Sequence, residues 1–216
     1  MLIAALYGLY TQEHNEDNSV KNVEVTQLAE IPAYDGEHQV IQLNHNQPNF
    51  TAEDLKMPLG THFSDLDSLN RVGLADGMLH KSLFPKEERE RLYVKPTGWQ
   101  QKFYQDQPLY NRAHLIAFRL TGENNNLKNL MTATSSLNSP GMTVYENQVA
   151  DYLKETGNHV RYRVTPYFEG DELVARGVQM EAQSIEDDQL SYNIFIYNIQ
   201  EGVTIDYQTG RSQKSE

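Results

Sequence analysis

The amino-acid sequence predicts an α+β protein built around a central antiparallel sheet flanked by helices. Two observations carry this expectation: apolar and polar residues alternate along several segments of the last third, and a segment before them carries apolar residues at helical spacing. A third observation limits the class, because no apolar run approaches the ~18 residues that a membrane-spanning helix needs. The length of 216 residues suits one domain of good size.

The two ends of the chain differ in composition from its middle. Residues 1–10 are apolar but carry no Lys or Arg, so they lack the charged start of a secretory signal peptide; packing on the domain explains them equally well. Residues 11–22 are polar and acidic. We expect residues 1–28 to form an acidic, mobile segment, residues 29–210 a single domain, and residues 211–216 a polar tail.

Local signals in the first half of the chain are weak. Residues 38–43 (HQVIQL) alternate and are expected to form a strand. Residues 51–54 (TAED) match a capping box, which predicts a short helix at this point. Residues 65–78 and 85–92 show no clear period, and we expect short helical pieces or loops there.

The second half has clearer periodicity. One helix is predicted over residues 143–155, where Val144, Val149, Tyr152 and Leu153 share one face at helical spacing. Predicted strands follow this helix and are joined by turns: residues 159–168, 173–182, 190–199 and 203–207. These strands are expected to pair in antiparallel hairpins because the connections between them are short.

Charge and cysteine content exclude several classes of function. The absence of Cys excludes disulfide scaffolds, Cys–zinc sites, thiol catalysis and iron–sulfur clusters. The net charge of −12 argues against a protein that coats nucleic acid, but the charge is uneven. Residues 71–168 hold 13 basic and 9 acidic residues, whereas both ends are acidic, so we expect any anion to bind the middle of the chain.

Residues 110–117 (YNRAHLIA) place Arg112 two residues before His114. In a strand, such a pair projects from the same face. An arginine can hold a phosphate oxygen while a neutral imidazole accepts a proton from water, so the pair suits hydrolysis of a phosphodiester. A buried strand histidine beside an arginine that extends to solvent is the alternative explanation.

Oxygen ligands for a hard cation follow in the sequence. Asn residues are concentrated over residues 124–129, Asn138 precedes a Pro-Gly pair, and Glu146 lies in the first turn of the predicted helix. Mg²⁺ takes few protein ligands and keeps most of its waters. Taken alone, however, Asn138 is also a turn former, and Thr143 with Glu146 matches a capping box, so these residues do not by themselves identify a metal site.

Several motifs, in order along the chain, resemble those of one family. Besides residues 110–146, they are residues 31–34 (IPAY), 46–50 (NQPNF), 66–71 (LDSLNR), 95–99 (KPTGW), 161–167 (RYRVTPY) and 206–210 (DYQTG). They resemble the DNA/RNA non-specific endonucleases of the His-Asn type, and within them the secreted streptococcal DNases (streptodornases) and the DNA-entry nuclease. The resemblance implies that the α+β fold contains a ββα-metal finger active site.

The family signature, Asp-Arg-Gly-His, is Asn111-Arg112-Ala113-His114 in this sequence. The resemblance implies that His114 is the general base and that Arg112 is the signature arginine. Asn at position 111 removes a carboxylate next to the site. Ala at position 113 is a small change if the backbone φ there is negative, and a costly one if it is positive.

The same resemblance implies roles outside the signature. Asn138 is expected to hold Mg²⁺, with Mn²⁺ as a substitute, and Glu146 is expected to hold a metal-bound water. Asn129 matches a second active-site Asn of the family. Weaker candidates for contacts with the substrate backbone are Arg119, Lys128, Arg161 and Arg163, of which the last two equally fit exposed positions on an alternating strand.

The resemblance thus implies a secreted, Mg²⁺-dependent endonuclease and virulence factor that hydrolyses DNA, with RNA as a further candidate substrate, and leaves 5′-phosphate ends. The sequence indicates neither a membrane nor a protein partner. Because contacts limited to phosphates carry no sequence code, cleavage is expected to be non-specific. Two alternatives stay open: a nucleic-acid-binding protein on the same fold with weakened catalysis, and a polar secreted module that binds protein or carbohydrate.

Overall fold

The computed structural model describes residues 20–215; residues 1–19, where the apolar start and most of the acidic segment are predicted, lie outside the described residues. The strands, in chain order, are β1 (Asn22–Val23), β2 (Val40–Leu43), β3 (Gly60–Phe63), β4 (Ala75–Leu79), β5 (Phe103–Tyr104), β6 (Gln107–Pro108), β7 (Tyr110–His114), β8 (Leu130–Thr134), β9 (Val160–Tyr167), β10 (Gly177–Ser184), β11 (Ser191–Tyr197), β12 (Val203–Asp206) and β13 (Arg211–Lys214). The helices are α1 (Phe118–Thr121) and α2 (Thr143–Thr156). Short helical turns cover Leu28–Glu30, Asn44–Asn46, Asp54–Lys56, Lys81–Leu83, Leu127–Asn129 and Leu137–Met142.

Seven strands form the central sheet, in the order β1-β2-β11-β10-β9-β4-β3. Neighbouring strands are antiparallel except β1 and β2, which are parallel at one edge. The predicted α+β class is therefore confirmed. Within residues 20–215, the pairs β5–β6, β7–β8 and β12–β13 form separate two-stranded hairpins.

One face of the central sheet forms the main core. Tyr162 and Val164 of β9, Ile196 of β11, and Val149 and Leu153 of α2 belong to one buried cluster that also includes residues of β7 and β8. Burial of these apolar side chains stabilises the packing of α2 against the sheet. The first turn of α2 is thereby fixed beside the β7–β8 hairpin.

The opposite face of the sheet is covered too: it carries a second buried apolar cluster on β2 and β11 (Ile41, Leu43, Phe195 and Tyr197) and polar side chains on β9. Residues 44–57, which we call the cover segment, lie over the polar part of this face. Arg163 Nη2 donates to Asn49 O at 2.7 Å. The Phe50 ring lies 5.4 Å from the guanidinium carbon of Arg161 and 4.6 Å from that of Arg163. The alternation of β9 therefore separates an apolar core face from a polar face that the cover segment shields from solvent.

Fully buried Asn198 joins the β7–β8 hairpin to the central sheet. Its Oδ1 accepts from Thr134 N of β8 at 2.8 Å. Its Nδ2 donates to Thr132 O at 3.2 Å and to Ala175 O at 2.9 Å. One side-chain amide thus satisfies backbone groups that would otherwise be buried without a partner.

Most predicted local elements are confirmed. Strands β2, β9 and β11 and helix α2 lie where the periodicity predicts them. Thr51 and Asp54 exchange the reciprocal bonds of a capping box, from Thr51 N to Asp54 Oδ2 and from Asp54 N to Thr51 Oγ1. None of the helices formed by residues 20–215 has the length and apolarity needed to cross a bilayer.

The expectation of helix or loop for the whole of residues 65–78 is wrong, because β4 begins inside this segment. Two residues of β4 are unusual for a central strand. Gly77 is required because a side chain there would collide with the backbone of Gly60. Asp76 is buried and forms an ion pair with Arg161 of β9. Both residues depend on contacts that are distant in sequence.

Other boundaries also differ from the prediction. β10 begins at Gly177 rather than at residue 173, and β12 pairs with β13 instead of joining the central sheet. Val144 is 48% exposed, and Glu146 instead lies on the buried face of α2. Strands β1 and β13 lie within the two segments expected outside the domain.

Candidate active site

An open cleft of about 450 Å³ lies between β7 and the first turn of α2. It is lined by Arg89, Leu92, Asn111, Arg112, His114, Ala117, Phe118, Arg119, Asn138, Thr143 and Glu146. A somewhat larger cleft of about 510 Å³ lies beside residues 135–140, but no histidine or arginine lines it. The smaller cleft gathers the titratable and cationic side chains, so we place the candidate site there.

His114 is the last residue of β7 and is 6% exposed. Its Nε2 lies 2.8 Å from Asn124 O. A carbonyl oxygen only accepts hydrogen bonds, so Nε2 carries the hydrogen and the neutral ring keeps its lone pair on Nδ1. Burial lowers the pKa of His114 below its ordinary value, against a smaller opposing effect of the bond to Asn124. The imidazole is therefore neutral at physiological pH.

Arg112 lines the same cleft, as its two-residue spacing from His114 predicts. Its Nε donates to Val94 O, and its guanidinium carbon lies 4.4 Å from the centre of the Trp99 ring. Stacking on an aromatic ring leaves the remaining guanidinium hydrogens available for a ligand. The guanidinium of Arg112 is thus held by the hydrogen bond from Nε and by its contact with the Trp99 ring, and it adds positive charge to the cleft.

Glu146 lies in the first turn of α2 and is 8% exposed. Burial raises its pKa to about 7, although the charges of Arg119 and Arg89 partly offset that effect. Within residues 20–215 its carboxylate forms no hydrogen bond, and Thr143 Oγ1 instead donates to Asn138 O at 2.9 Å. The capping-box explanation of Glu146 is therefore wrong, and a buried carboxylate lines the cleft.

The cleft provides oxygen donors that suit a hard cation. The side-chain amide of Asn138 and the carboxylate of Glu146 line it together, and among the described residues neither forms a hydrogen bond there. No group of three or more His, Asp or Glu side chains within residues 20–215 could hold a metal ion. This donor set fits Mg²⁺, which retains several waters and binds through one or two protein ligands.

The Asn-rich stretch of the sequence has a structural part in the site. Asn124 Nδ2 donates to Glu90 O and Asn125 Nδ2 to Arg91 O, both at 3.2 Å. Asn125 Oδ1 accepts from Tyr93 N at 2.8 Å. These bonds hold residues 89–93 beside the cleft and so bring Arg89 to it. Arg89 is not among the residues predicted from the sequence, and nothing in its strongly charged neighbourhood sets it apart.

Four predicted substrate contacts lie away from the cleft. Asn129 is fully buried, and its amide bonds the backbone of Ile116 in both directions, at 2.8 and 3.0 Å. Arg161 is fully buried in its ion pair with Asp76. Lys128 is exposed and paired with Asp65 at 2.7 Å. Arg163, the remaining weak candidate, is paired with a carboxylate of β10 under the cover segment. Arg119, in contrast, lines the cleft.

The two departures from the signature are accommodated locally. Ala113 lies in β7, fully buried, and its φ is not positive, so the added methyl group causes no backbone strain. Asn111 lines the cleft, and its Nδ2 donates to Ser135 Oγ at 3.0 Å. Neither substitution disturbs the pairing of β7 with β8.

Known proteins resemble this chain over most of its length. The family model described as DNA/RNA non-specific endonuclease matches residues 53–186, well over half of the chain. NucA from Streptococcus agalactiae is 29% identical, with 82% of this chain and 87% of that chain covered; the TM-score is 0.74 for its magnesium-bound form and 0.73 without metal. The Sda1 nuclease with a bound zinc ion is 28% identical, with 72% and 81% covered and a TM-score of 0.63. An extracellular endonuclease with 21% identity, 77% and 89% coverage and a TM-score of 0.59 shares the fold.

Proposed function

The chain belongs to the DNA/RNA non-specific endonuclease family, and from this premise we propose that it is a Mg²⁺-dependent endonuclease that hydrolyses phosphodiester bonds of DNA and leaves 5′-phosphate ends. RNA is a second substrate to test, and Mn²⁺ is expected to substitute for Mg²⁺. The similarity to NucA with magnesium and to Sda1 with zinc supports a divalent metal. The resemblance to secreted DNases supports a location outside the cell.

The observation that carries this proposal is the state of His114. The bond from Nε2 to Asn124 O fixes the tautomer, and burial keeps the ring neutral. We assign His114 as the general base: Nδ1 takes a proton from the water that attacks the phosphorus. Such a base contributes ~10²–10⁴-fold to the rate. Asn124 orients the ring, and so acts as a positioning residue.

Asn138 would hold the metal, and Glu146 would orient a water bound to it. A divalent cation supplies Lewis acidity, which stabilises negative charge on the phosphate and on the leaving 3′-oxygen. Burial raises the pKa of Glu146 to about 7, and a cation bound nearby would favour the ionised carboxylate that this role requires. Two donors in one cleft are enough for an ion that remains largely hydrated.

Arg89, Arg112 and Arg119 supply the positive charge that attracts the phosphates. Their contacts would position the backbone without reading base edges, which supports cleavage without sequence specificity. We assign Asn129 to positioning, because its bonds to Ile116 fix the turn after β7. Arg161 and Lys128 receive no substrate contact in this proposal.

The test is cleavage of plasmid, linear and single-stranded DNA and of RNA, with Mg²⁺ and with EDTA. We expect His114→Ala to remain folded and to lose ~10²-fold or more of its activity. Asn138→Ala should require a higher Mg²⁺ concentration. Near-normal cleavage by His114→Ala, or full activity in EDTA, would contradict the mechanism.

The departures at positions 111 and 113 motivate one alternative: a nucleic-acid-binding protein with weakened catalysis. A gel shift with intact DNA in the presence of Mg²⁺ would favour it over the nuclease. End-labelling of the products with a kinase, before and after phosphatase treatment, tests the 5′-phosphate.

A further inference from the structure

A chain of hydrogen bonds links position 111 to the segment that carries Asn138. Asn111 lies on β7 opposite Ala133 of β8. Its Nδ2 donates to Ser135 Oγ at 3.0 Å, and Ser135 Oγ donates to Pro108 O at 2.6 Å. Position 111 is where the sequence departs from the family signature, so this chain bears directly on the meaning of that departure.

The direction of these bonds is fixed by chemistry. A serine hydroxyl has one hydrogen, and Pro108 O can only accept it. Ser135 Oγ can therefore only accept from position 111, and the side chain there must be a donor. The amide of Asn111 is a donor, whereas an ionised aspartate has none. Asp at this position would place a carboxylate oxygen against a hydroxyl oxygen, or would take the hydroxyl away from Pro108.

Ser135 is well placed to transmit this constraint to Asn138. It is the first residue after β8, and its backbone N donates to Leu109 O at 2.8 Å. Asn138 follows three residues later, and its carbonyl is held by Thr143 Oγ1. The segment between β8 and α2 is thus anchored at its start by Ser135 and near its end by Thr143.

We infer that Asn111 is a positioning residue, matched to Ser135, that holds the segment carrying Asn138 in the geometry needed to bind the metal. The inference rests on the proposed function, since it takes Asn138 as the metal ligand. It also reverses the meaning of the substitution: Asn111 belongs to a working site with a different hydrogen-bond chain, and restoring the signature Asp would lower metal affinity.

The test is calorimetric titration of the metal-free protein with Mn²⁺ alone, without nucleic acid. We expect Asn111→Asp and Ser135→Ala each to raise the Kd by about five- to tenfold, the effect of losing one hydrogen bond. Asn111→Ala should change the Kd little when Ser135 is already Ala, because the two act through one bond. Asn70→Asp, the same chemical change on an exposed turn, is the matched control and should bind as the unaltered protein does.

Activity gives a second measurement. At saturating Mg²⁺, Asn111→Asp should recover most of its kcat, which a defect in the general base would not allow. Tighter Mn²⁺ binding or faster cleavage by Asn111→Asp would overturn the inference. Additive effects of the changes at positions 111 and 135 would also overturn it, since they would show that Asn111 does not act through Ser135.

Asn138→Ala separates this inference from the proposed function. If Asn138→Ala binds Mn²⁺ normally, the metal assignment itself fails. If Asn138→Ala loses binding while Asn111→Asp and Ser135→Ala keep it, this inference alone fails. Should Asn111→Asp not fold, Ser135→Ala still decides the outcome, because it breaks the same chain from its other end.

Discussion

Glu146 gives the sharpest test of the site, because a buried carboxylate costs stability when it ionises. Its pKa rises from the ordinary 4.5 to about 7 in the folded protein, mainly through burial. When the pKa of a group is higher in the folded protein than in the unfolded chain, its contribution to stability is complete at pH values below the unfolded pKa. That contribution is lost as the pH rises through the folded pKa. Glu146 should therefore destabilise the protein at alkaline pH.

The magnitude follows from the size of the shift. A change from 4.5 to about 7 corresponds to about 3 kcal/mol at alkaline pH, since each pKa unit is worth about 1.4 kcal/mol. The side chain is only 8% exposed, so solvent screening reduces this value little. The free energy of unfolding of Glu146→Gln, measured relative to that of the unaltered protein, should thus increase by about 3 kcal/mol as the pH rises from about 4.5 to about 8.

Urea unfolding at several pH values, with EDTA present, measures this difference. EDTA is needed because a bound cation favours the ionised form. Glu155→Gln makes the same chemical change on an exposed position of α2 and should show no such trend. A stability difference between Glu146→Gln and the unaltered protein that stays constant with pH would refute the reasoning. Glu146→Gln should also be a poor nuclease, so the carboxylate is kept at a cost in stability.

Three further predictions follow from the same geometry. Because burial lowers the pKa of His114, the rate of cleavage at saturating Mg²⁺ should fall as the pH is lowered, with a midpoint below pH ~6.5. A midpoint above that pH would contradict the assignment of His114 as the base. Arg161→Met should cost about 3–5 kcal/mol in urea unfolding, because it removes the arginine that pairs with the buried carboxylate of Asp76, and it should leave the KM for DNA unchanged. Arg119→Ala should raise that KM about tenfold, whereas Lys128→Ala should change it less than about twofold; equal effects would contradict the boundary of the cleft.

The strands with regular alternation could be predicted from sequence because each needs only its own pattern. β9 and β11 alternate and lie where their patterns predict them. β4 cannot be predicted in this way, because Asp76 and Gly77 are poor strand residues until their partners are known. The partner of Asp76 is the fully buried Arg161, and the backbone of Gly60 requires Gly77. Both contacts join residues that are far apart in the chain.

In the candidate site, too, local sequence patterns predict some residues, whereas others depend on contacts that are distant in the chain. The spacing of Arg112 and His114 predicts that they face one cleft, and they do. The alternation of Arg161 and Arg163 predicts an exposed strand face, but the cover segment lies over it, and the neighbouring strands β4 and β10 supply acidic partners for these arginines. Arg89 lies in a charged stretch without periodicity. Its position depends on side-chain amides from another loop, which no local pattern reveals.

Asn198 has a consequence for how the candidate site is attached to the central sheet. The β7–β8 hairpin and the seven-stranded sheet share no backbone ladder within residues 20–215, and this one amide bridges both. The placement of the hairpin on the sheet therefore depends on side-chain bonds and on packing in the shared core, and not on a continuous strand ladder. Loss of the Asn198 amide would loosen the candidate site from the sheet that supports it while leaving the backbone pairing within each unit intact.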